Sequence, residues 1–133
     1  MISFDLDTEG LREMHRAVHR LESALDAAVE RAVRATSREV VKEAKRTHGY
    51  QDRTGRLTRS IMSYEPIGQF SEDSLEGMVG ATMRYASYIE EGTSRGIRAY
   101  QYLGGAWIAQ RLDTRQRMRD ALEDAVRRAG LEP

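Results

Sequence analysis

The first third of the chain carries a regular apolar stripe. Apolar residues recur at alternating spacings of three and four, at Leu11, Met14, Val18, Leu21, Leu25, Ala28 and Ala32. This spacing lines one face of a helix. Because no glycine or proline interrupts residues 11–48, we predict a helix, or a closely joined helix pair, that extends to about Thr47 and stops at Gly49. A single helix would measure about 55 Å, so it either bends into two or protrudes to meet another subunit.

A short strand is predicted ahead of this helix, because Ile2, Phe4 and Leu6 alternate with polar residues. Asp7 and Thr8 are the candidate N-cap residues of the helix.

Beyond Gly49 the pattern breaks into shorter segments. Residues 50–56 are polar and are predicted to form a loop. Two strands are predicted, at Leu57–Tyr64 and at about Glu76–Met83, separated by the turn-rich Ser71–Ser74.

The last part of the chain returns to helical spacing. Tyr85, Tyr88 and Ile89 predict a short helix that ends at Gly92. Residues Thr93–Ala99 are predicted to form a mobile loop. A final amphipathic helix is expected from about Gly105 to Arg128, ended by Gly130.

These elements predict an α+β fold in which a small antiparallel sheet is packed by a long N-terminal helix or helix pair, a short middle helix and a C-terminal helix. A chain of 133 residues is of ordinary single-domain size. Within that domain we distinguish an N-terminal strand and helical arm (1–50), a region of sheet, short helix and loop (51–103) and the C-terminal helix (104–130).

Composition narrows the function classes. The 21 basic and 21 acidic residues cancel, which argues against a polybasic nucleic-acid binder. Only Lys42 and Lys45 among the bases are lysines, and arginine suits specific pairing with carboxylates at interfaces; codon bias is the alternative explanation. The absence of cysteine excludes disulfides and thiol nucleophiles. With neither a long apolar run nor a signal-peptide pattern, we expect a soluble chain made inside a cell.

Candidate chemistry is weak. His15 and His19 are four residues apart with Glu22 nearby, but Arg16 occupies the position where a zinc-protease helix carries glutamate. A solvated helix face is the preferred interpretation, with no metal and no cofactor. No Gly-x-Ser-x-Gly turn occurs, and no histidine follows His48. We therefore expect no enzymatic activity.

Glu90 and Glu91 form an acidic pair at the predicted C-terminal end of the short helix, where negative charge is disfavoured by up to about 1 kcal/mol. Either the pair lies on a wet surface or it has a fixed cationic partner. We predict such an ion pair across a subunit boundary, with four candidate partners within or between subunits: Arg56, Arg59, Arg95 and Arg98.

Three segments together resemble the tailed-phage head–tail joining (neck) protein family, over about positions 1–130. Thr54-Gly55-Arg56-Leu57-Thr58-Arg59-Ser60-Ile61 is similar to that family's Thr-Gly-x-Leu-x-x-Ser-Ile element. Val79-Gly80 and the segment Tyr85-Ala86-Ser87-Tyr88-Ile89-Glu90-Glu91-Gly92-Thr93 resemble its Val-Gly strand and its Tyr-Ala-x-Tyr-Val-Glu-Phe-Gly-Thr signature. Gln101-Tyr102-Leu103-Gly104-Gly105-Ala106 stands where members have Pro-Phe-Leu-x-Pro-Ala.

The chain departs from the family pattern at four positions. Glu91 replaces an aromatic residue, Tyr102 replaces phenylalanine, and Gln101 and Gly105 replace prolines. Losing both prolines removes two fixed φ angles and a preset helix start, so the Thr93–Gln101 loop is expected to be less rigid here.

The motif glycines have predicted folding roles. Gly55 is expected to form a turn, capped by Thr54, that lets Leu57 and Ile61 enter the core. Gly80 is expected to permit close backbone approach in a strand, and Gly92 to take a positive φ.

The resemblance implies a structural virion protein of the phage neck, which joins or completes the connection between capsid portal and tail. The implied partners are copies of itself in a six- or twelvefold ring, portal-side connector proteins, and tail terminator or tail-tube proteins, with host cytoplasm as the place of assembly. Rings need one patch that meets a different patch on the neighbour, and the long N-terminal helix and the Arg/Glu-rich edges are the candidates for the two patches. The candidate interface or family-motif positions are Thr54, Gly55, Arg56, Leu57, Ser60, Ile61, Gly80, Tyr85, Ala86, Glu90, Glu91, Gly92, Thr93, Tyr102 and Leu103. Genomic DNA would pass through the lumen, where Arg95 and Arg98 are candidate contacts.

The alternative is a small nucleic-acid-binding or regulatory module. Six arginines of the first helix are able to line one face, although acidic residues interrupt it: Arg12, Arg16, Arg20, Arg31, Arg34 and Arg38.

Overall fold

The longest element is an N-terminal helix, α1, which runs from Thr8 to Arg46 without a break. The computed structural model describes residues 8–130, so the predicted strand at residues 2–6 and the Asp7 cap lie outside the described residues. Of the two forms expected for this segment, α1 takes the single helix of 39 residues. The predicted extent to about Thr47 is confirmed, since α1 ends at Arg46 and the Thr47 N–H still bonds to the Glu43 carbonyl at 2.8 Å. Gly49 lies three residues beyond Arg46 and lacks the positive φ of a glycine helix stop.

The C-terminal helix α4 (Tyr102–Arg128) packs antiparallel against α1. Residues 28–35 of α1 lie beside residues 117–124 of α4, and residues 43–47 lie beside residues 101–109. Small side chains such as Ala32 and Ala125 are buried where the helices meet, which permits close packing of the two axes. Because α4 is shorter than α1, residues 8–20 of α1 extend about 20 Å past the C-terminal end of α4. We call these residues the arm.

The part of the chain that connects α1 to α4 forms four short elements: α2 (Arg56–Ser60), β1 (Ile61–Ser63), β2 (Val79–Ala81) and α3 (Ala86–Glu91). The strands pair antiparallel with Ile61 opposite Ala81. A bridge between Ile67 and Glu76 extends the pairing, so residues 61–81 form one hairpin with a 3-10 turn at Phe70–Glu72. The Asp26 carboxylate of α1 holds this turn by accepting the N–H and the hydroxyl of Ser71 at 2.8 and 2.9 Å.

Two predicted boundaries are wrong. Residues 57–60 of the predicted first strand belong to α2, and β1 begins only at Ile61. Leu57 and Ile61 are four residues apart, so one turn of helix points both side chains inward. The C-terminal helix begins at Tyr102 rather than near Gly105, because a glutamate from α3 caps it, as described below.

The apolar core lies where the C-terminal half of α1 meets α2, β1, α3 and the start of α4. Its buried members are Val40, Ala44, Tyr50, Leu57, Ile61, Ala86, Tyr102 and Ala106. Among the described residues, Leu57 and Ile61 are the largest fully buried side chains, each 1% exposed. The predicted α+β class is confirmed, with helix predominating. The division at residues 50 and 103 stays a prediction.

Candidate functional site

The three motifs noted in the sequence converge on this core. Leu57 and Ile61 from the first motif, Ala86 from the second and Tyr102 from the third are all buried members of it. We call residues 54–61, 85–93 and 101–106 the motif cluster. Segments far apart in sequence are thus held together by shared burial, and the motif positions carry folding roles first.

The first motif forms a capped turn. Gly55 has a φ of 72°, a left-handed conformation that glycine adopts without a steric penalty. Thr54 Oγ1 accepts the Arg56 N–H at 3.4 Å, which is long for a hydrogen bond. The stronger cap is Asp52, whose Oδ2 accepts the Thr58 N–H at 2.8 Å.

The Asp52 carboxylate is stabilised by this role. Hydrogen bonds from the hydroxyl and N–H of Thr58 lower the pKa of Asp52 below its usual value. Sequence reasoning missed Asp52 because it lies three residues before the N-cap position at Gly55, outside the local capping pattern.

An aromatic group covers the other side of the first motif. The Tyr50 ring stacks on His48 at 3.9 Å and meets the Tyr102 ring edge-on at 5.2 Å. Its hydroxyl lies 2.9 Å from Thr58 Oγ1. Aromatic pairs of this kind add stability beyond their burial, so Tyr50 links α2 to the start of α4. Tyr50 was not singled out by its sequence context.

Glu90 caps helix α4. Its two carboxylate oxygens accept the N–H groups of Leu103 and Gly104, each at 2.9 Å. These donors belong to the first turn of α4, where the helix leaves its N–H groups unpaired and carries partial positive charge. A Cβ at Gly104 would lie 3.3 Å from Glu90 Oε1, so glycine at this position keeps the carboxylate unobstructed.

This geometry changes the interpretation of the acidic pair. Within one chain, no described arginine lies at ion-pair distance from Glu90, and the helix terminus supplies the positive partner. Glu91 is exposed. Pairing of either glutamate with an arginine of a second subunit stays a prediction.

Tyr102 occupies the centre of the motif cluster. Its hydroxyl donates to the Ala86 carbonyl at 3.2 Å. Burial, followed by the charge of Glu90, raises the pKa of Tyr102 to about 12. The side chain that stands where the family has phenylalanine therefore adds a hydrogen bond between α4 and α3.

The loop between α3 and α4 begins and ends at a residue with a positive φ. Gly92 has a φ of 77° and begins it, as predicted. Thr93 N–H bonds to the Ile97 carbonyl at 2.8 Å. At the far end Gln101 has a φ of 48°, a value proline cannot adopt. This chain therefore enters α4 by a backbone path that the family's proline would not permit.

Arg95 and Arg98, the two arginines predicted to face DNA, lie on this loop and are both exposed. The Arg98 guanidinium lies 4.8 Å from the centroid of the Tyr100 ring, a cation–π distance. The predicted mobility of the loop and its contact with DNA stay predictions.

The remaining motif residues divide between surface and support. Thr54, Arg56 and Tyr85 are exposed, whereas Ser60, Thr93 and Leu103 are half-buried. Ser60 donates its hydroxyl to the Leu57 carbonyl at 2.7 Å. The close backbone approach predicted at Gly80 is not found, since a Cβ there would meet only the Tyr64 ring at an ordinary 3.5 Å.

The candidate metal residues do not form a site. His15 and His19 are exposed on the arm, and residues 8–130 contain no group of three or more potential ligands. Within those same residues no helix is long and apolar enough to cross a membrane.

The arm exposes the apolar stripe that the rest of α1 buries. Leu11, Met14 and Val18 are 52, 63 and 54% exposed, yet they continue the pattern that reaches buried Ala28 and Ala32. The stripe therefore runs past the end of the helix that covers it. This continuous exposed stripe is a candidate interaction surface.

A second apolar surface is a cleft of about 320 Å³ between α1, β2 and α4. Val40, Val79, Leu103, Trp107 and Met118 line it, together with polar Thr36 and Ser37. It contains no charged lining residue and no convergent set of acid, base and nucleophile.

Comparison with known proteins gives one match. The family model described as "Bacteriophage HK97-gp10, putative tail-component" matches residues 12–92, which is more than half of the chain. The matched range includes α1 from Arg12 onward, α2, the hairpin and α3. No curated protein and no solved structure matches. The suspected kinship with phage joining proteins is thereby confirmed at the level of a structural tail component of the virion. The chain belongs to the HK97-gp10-like family of phage tail components.

Proposed function

We propose that this protein is a ring-forming component of the phage neck that joins or completes the connection between the capsid portal and the tail. The observation that carries the proposal is the exposed apolar stripe of the arm, on a chain whose family consists of tail components. Because Leu11, Met14 and Val18 are exposed, the chain has apolar surface that association would remove from water.

The arm is the proposed contact with a neighbouring connector protein on the portal side or the tail side. Because Leu11, Met14 and Val18 are 52–63% exposed, covering them contributes about half of the roughly 1.5–3 kcal/mol that complete burial of each would give, before entropic costs. The arm also carries Arg12, Arg16 and Arg20 with Glu9 and Glu13, and this polar rim would fix the orientation of the partner.

The role proposed is structural, without catalysis and without a cofactor. Copies of the chain form the ring, which the resemblance implies is six- or twelvefold. Portal-side connector proteins and tail terminator or tail-tube proteins are its proposed neighbours in the virion. Genomic DNA in the lumen is the proposed contact of Arg95 and Arg98, and the host cytoplasm is the proposed place of assembly.

Electron microscopy of the purified protein, alone and mixed with portal-bearing heads or with tails, tests this function. We expect rings or added density at the neck, and heads that lack the protein should fail to join tails until it is supplied. Monomers that bind neither particle would contradict the proposal.

The nucleic-acid module is the competing outcome. Arg34 bonds to Glu30 and Glu65 at 2.9 and 2.8 Å, which uses one of the arginines that such a module would need. Gel-shift binding by a monomer or dimer at moderate salt, together with failure to join particles, would favour that function instead.

A further inference from the structure

The hairpin (residues 61–81) is an acidic and apolar surface. Between Arg59 and Arg84 the chain has four acidic residues and no basic one: Glu65, Glu72, Asp73 and Glu76. Of these four, Glu65 has a described ion pair, with Arg34. The hairpin region also exposes five large apolar side chains: Met62, Tyr64, Ile67, Phe70 and Met78.

The outward side of α4 has the opposite charge. Arg111, Arg115 and Arg119 recur every four residues and therefore share one side of the helix. All three are exposed, and no described carboxylate lies at ion-pair distance from them. Like charges at this spacing destabilise a helix, so an acidic partner would relieve a cost that the single chain carries.

The same side of α4 is also apolar. Ile108, Leu112 and Leu122 are exposed, Leu112 to 72%. A groove of about 550 Å³ runs along this side, lined by Trp107, Met118 and Leu122 together with the three arginines, Thr114 and one carboxylate, that of Glu123. We call Ile108, Arg111, Leu112, Arg115, Arg119 and Leu122 the basic face. Apolar side chains with surrounding arginines are typical of protein interfaces.

We infer that the hairpin of one copy docks on the basic face of a second copy. Both surfaces expose apolar side chains, so each covers apolar area of the other. Their charges are opposite, so each also supplies the counter-charges that the other lacks. A DNA duplex would satisfy the arginines but would leave Ile108 and Leu112 in water, and it would repel the hairpin. The zero net charge of the chain results partly from these two separated patches.

The contact is heterologous, because the hairpin meets a different surface on its neighbour. Repetition of one such contact produces a closed ring or a filament according to the rotation between copies. The inference deepens the proposed ring and rests on it for the identity of the particle, but it concerns self-association, which is measurable without heads or tails.

Charge exchange is the first test, read by analytical ultracentrifugation over a range of concentrations. Arg115→Glu with Arg119→Glu should weaken self-association by more than about tenfold, as should Glu72→Arg with Glu76→Arg. The protein carrying all four changes should regain association. Arg38→Glu with Lys45→Glu is the matched control, because both residues are exposed on α1 and the change in charge is the same.

Cross-linking is the second test, and it does not depend on the charge variants. The chain has no cysteine, so Ile67→Cys with Leu112→Cys introduces the only two thiols. Under mild oxidation the doubly substituted chain should give a ladder of dimers, trimers and larger species, whereas each single variant should give dimers at most. A ladder at concentrations where the wild type associates would support the docking.

The inference is overturned if the wild type never self-associates, if either charge exchange leaves association unchanged, if the Arg38 and Lys45 control weakens it equally, or if no ladder forms. Failure of the proposed function is a separate result. Wild-type protein that self-associates but does not join heads to tails would contradict the neck role and keep the docking. If neither charge exchange affects the joining of heads to tails, the neck role is kept and the docking is contradicted.

Discussion

The motif cluster and the arm use apolar residues in opposite ways. In the motif cluster, Leu57 of α2 and Ile61 at the start of β1 are each 1% exposed, and hydrogen bonds made by Thr58 and Ser60 fix the helical turn between them. In the arm, apolar residues at the same helical spacing face water. In this chain the three motifs bring distant segments together in the core, whereas the arm is the surface that we propose for assembly.

The largest effect should come from a pair of matched truncations. Leu57→Ala removes a fully buried side chain and should lower the free energy of unfolding by about 2–5 kcal/mol. Leu11→Ala removes the same atoms from the exposed arm and should change it by less than about 0.5 kcal/mol. Chemical denaturation of the dilute protein measures both. Equal losses would mean that the two regions do not differ as described.

Removing the cap of α4 should have the next largest effect. Glu90→Gln keeps the shape of the side chain but removes the charge and one of the two acceptor oxygens, so it should cost about 1–3 kcal/mol. Glu91→Gln, at the exposed neighbour, is the control and should cost far less. If the Glu90 variant unfolds like the wild type, the carboxylate does not hold α4 in place.

The entry to α4 offers a smaller effect of known sign. Gln101→Gly should stabilise the protein by up to about 1 kcal/mol, because glycine adopts the positive φ of this position without the steric penalty. Gln101→Pro should destabilise it, although the resemblance places proline at this position, because proline cannot take a φ of 48°. Thermal unfolding of the pair decides the matter, and a stabilising proline would mean that the turn has the family's conformation.

At alkaline pH the contribution of Tyr102 to the free energy of unfolding should change differently from that of an exposed tyrosine. Because the pKa of Tyr102 is raised to about 12 in the folded state and is about 10 when unfolded, its contribution to stability is complete below pH 10. That contribution is lost as the pH rises toward 12.

The measurement is the free energy of unfolding of the wild type and Tyr102→Phe between pH 8 and 11. The variant should be less stable near pH 8, since it lacks the hydrogen bond to the Ala86 carbonyl, and the difference should narrow as the pH rises. Tyr88→Phe, at an exposed position, serves as the control and should follow the wild type. A difference that stays constant with pH would contradict the raised pKa.

The long helices were predictable from the sequence because periodicity extends over many residues. The short α2 was not, since its signal is one pair of apolar residues four apart, Leu57 and Ile61, in a segment that also fits a strand. Its cap, Asp52, and the cap of α4, Glu90, act across 6 and 13 residues of chain. Such contacts depend on the tertiary fold. The prediction from local sequence therefore placed the start of α4 near Gly105 instead of at Tyr102.

The interaction surfaces were predictable only in part. The stripe from Leu11 to Ala32 is uniform in sequence, and nothing in its pattern indicates where α4 stops covering it. That boundary follows from the lengths of α1 and α4, 39 and 27 residues, and from their antiparallel packing. The basic face is visible in the sequence as arginines four apart, but its exposure and lack of acidic partners required the structure.

The most direct test of the central claim replaces the arm's apolar stripe by serine, as Leu11→Ser with Met14→Ser and Val18→Ser, and measures incorporation of the protein into virions beside its unfolding transition. The account predicts that unfolding of the dilute protein stays close to that of the wild type, while incorporation and the joining of heads to tails are lost. Normal incorporation of this variant would contradict the claim that the exposed stripe of the arm serves assembly.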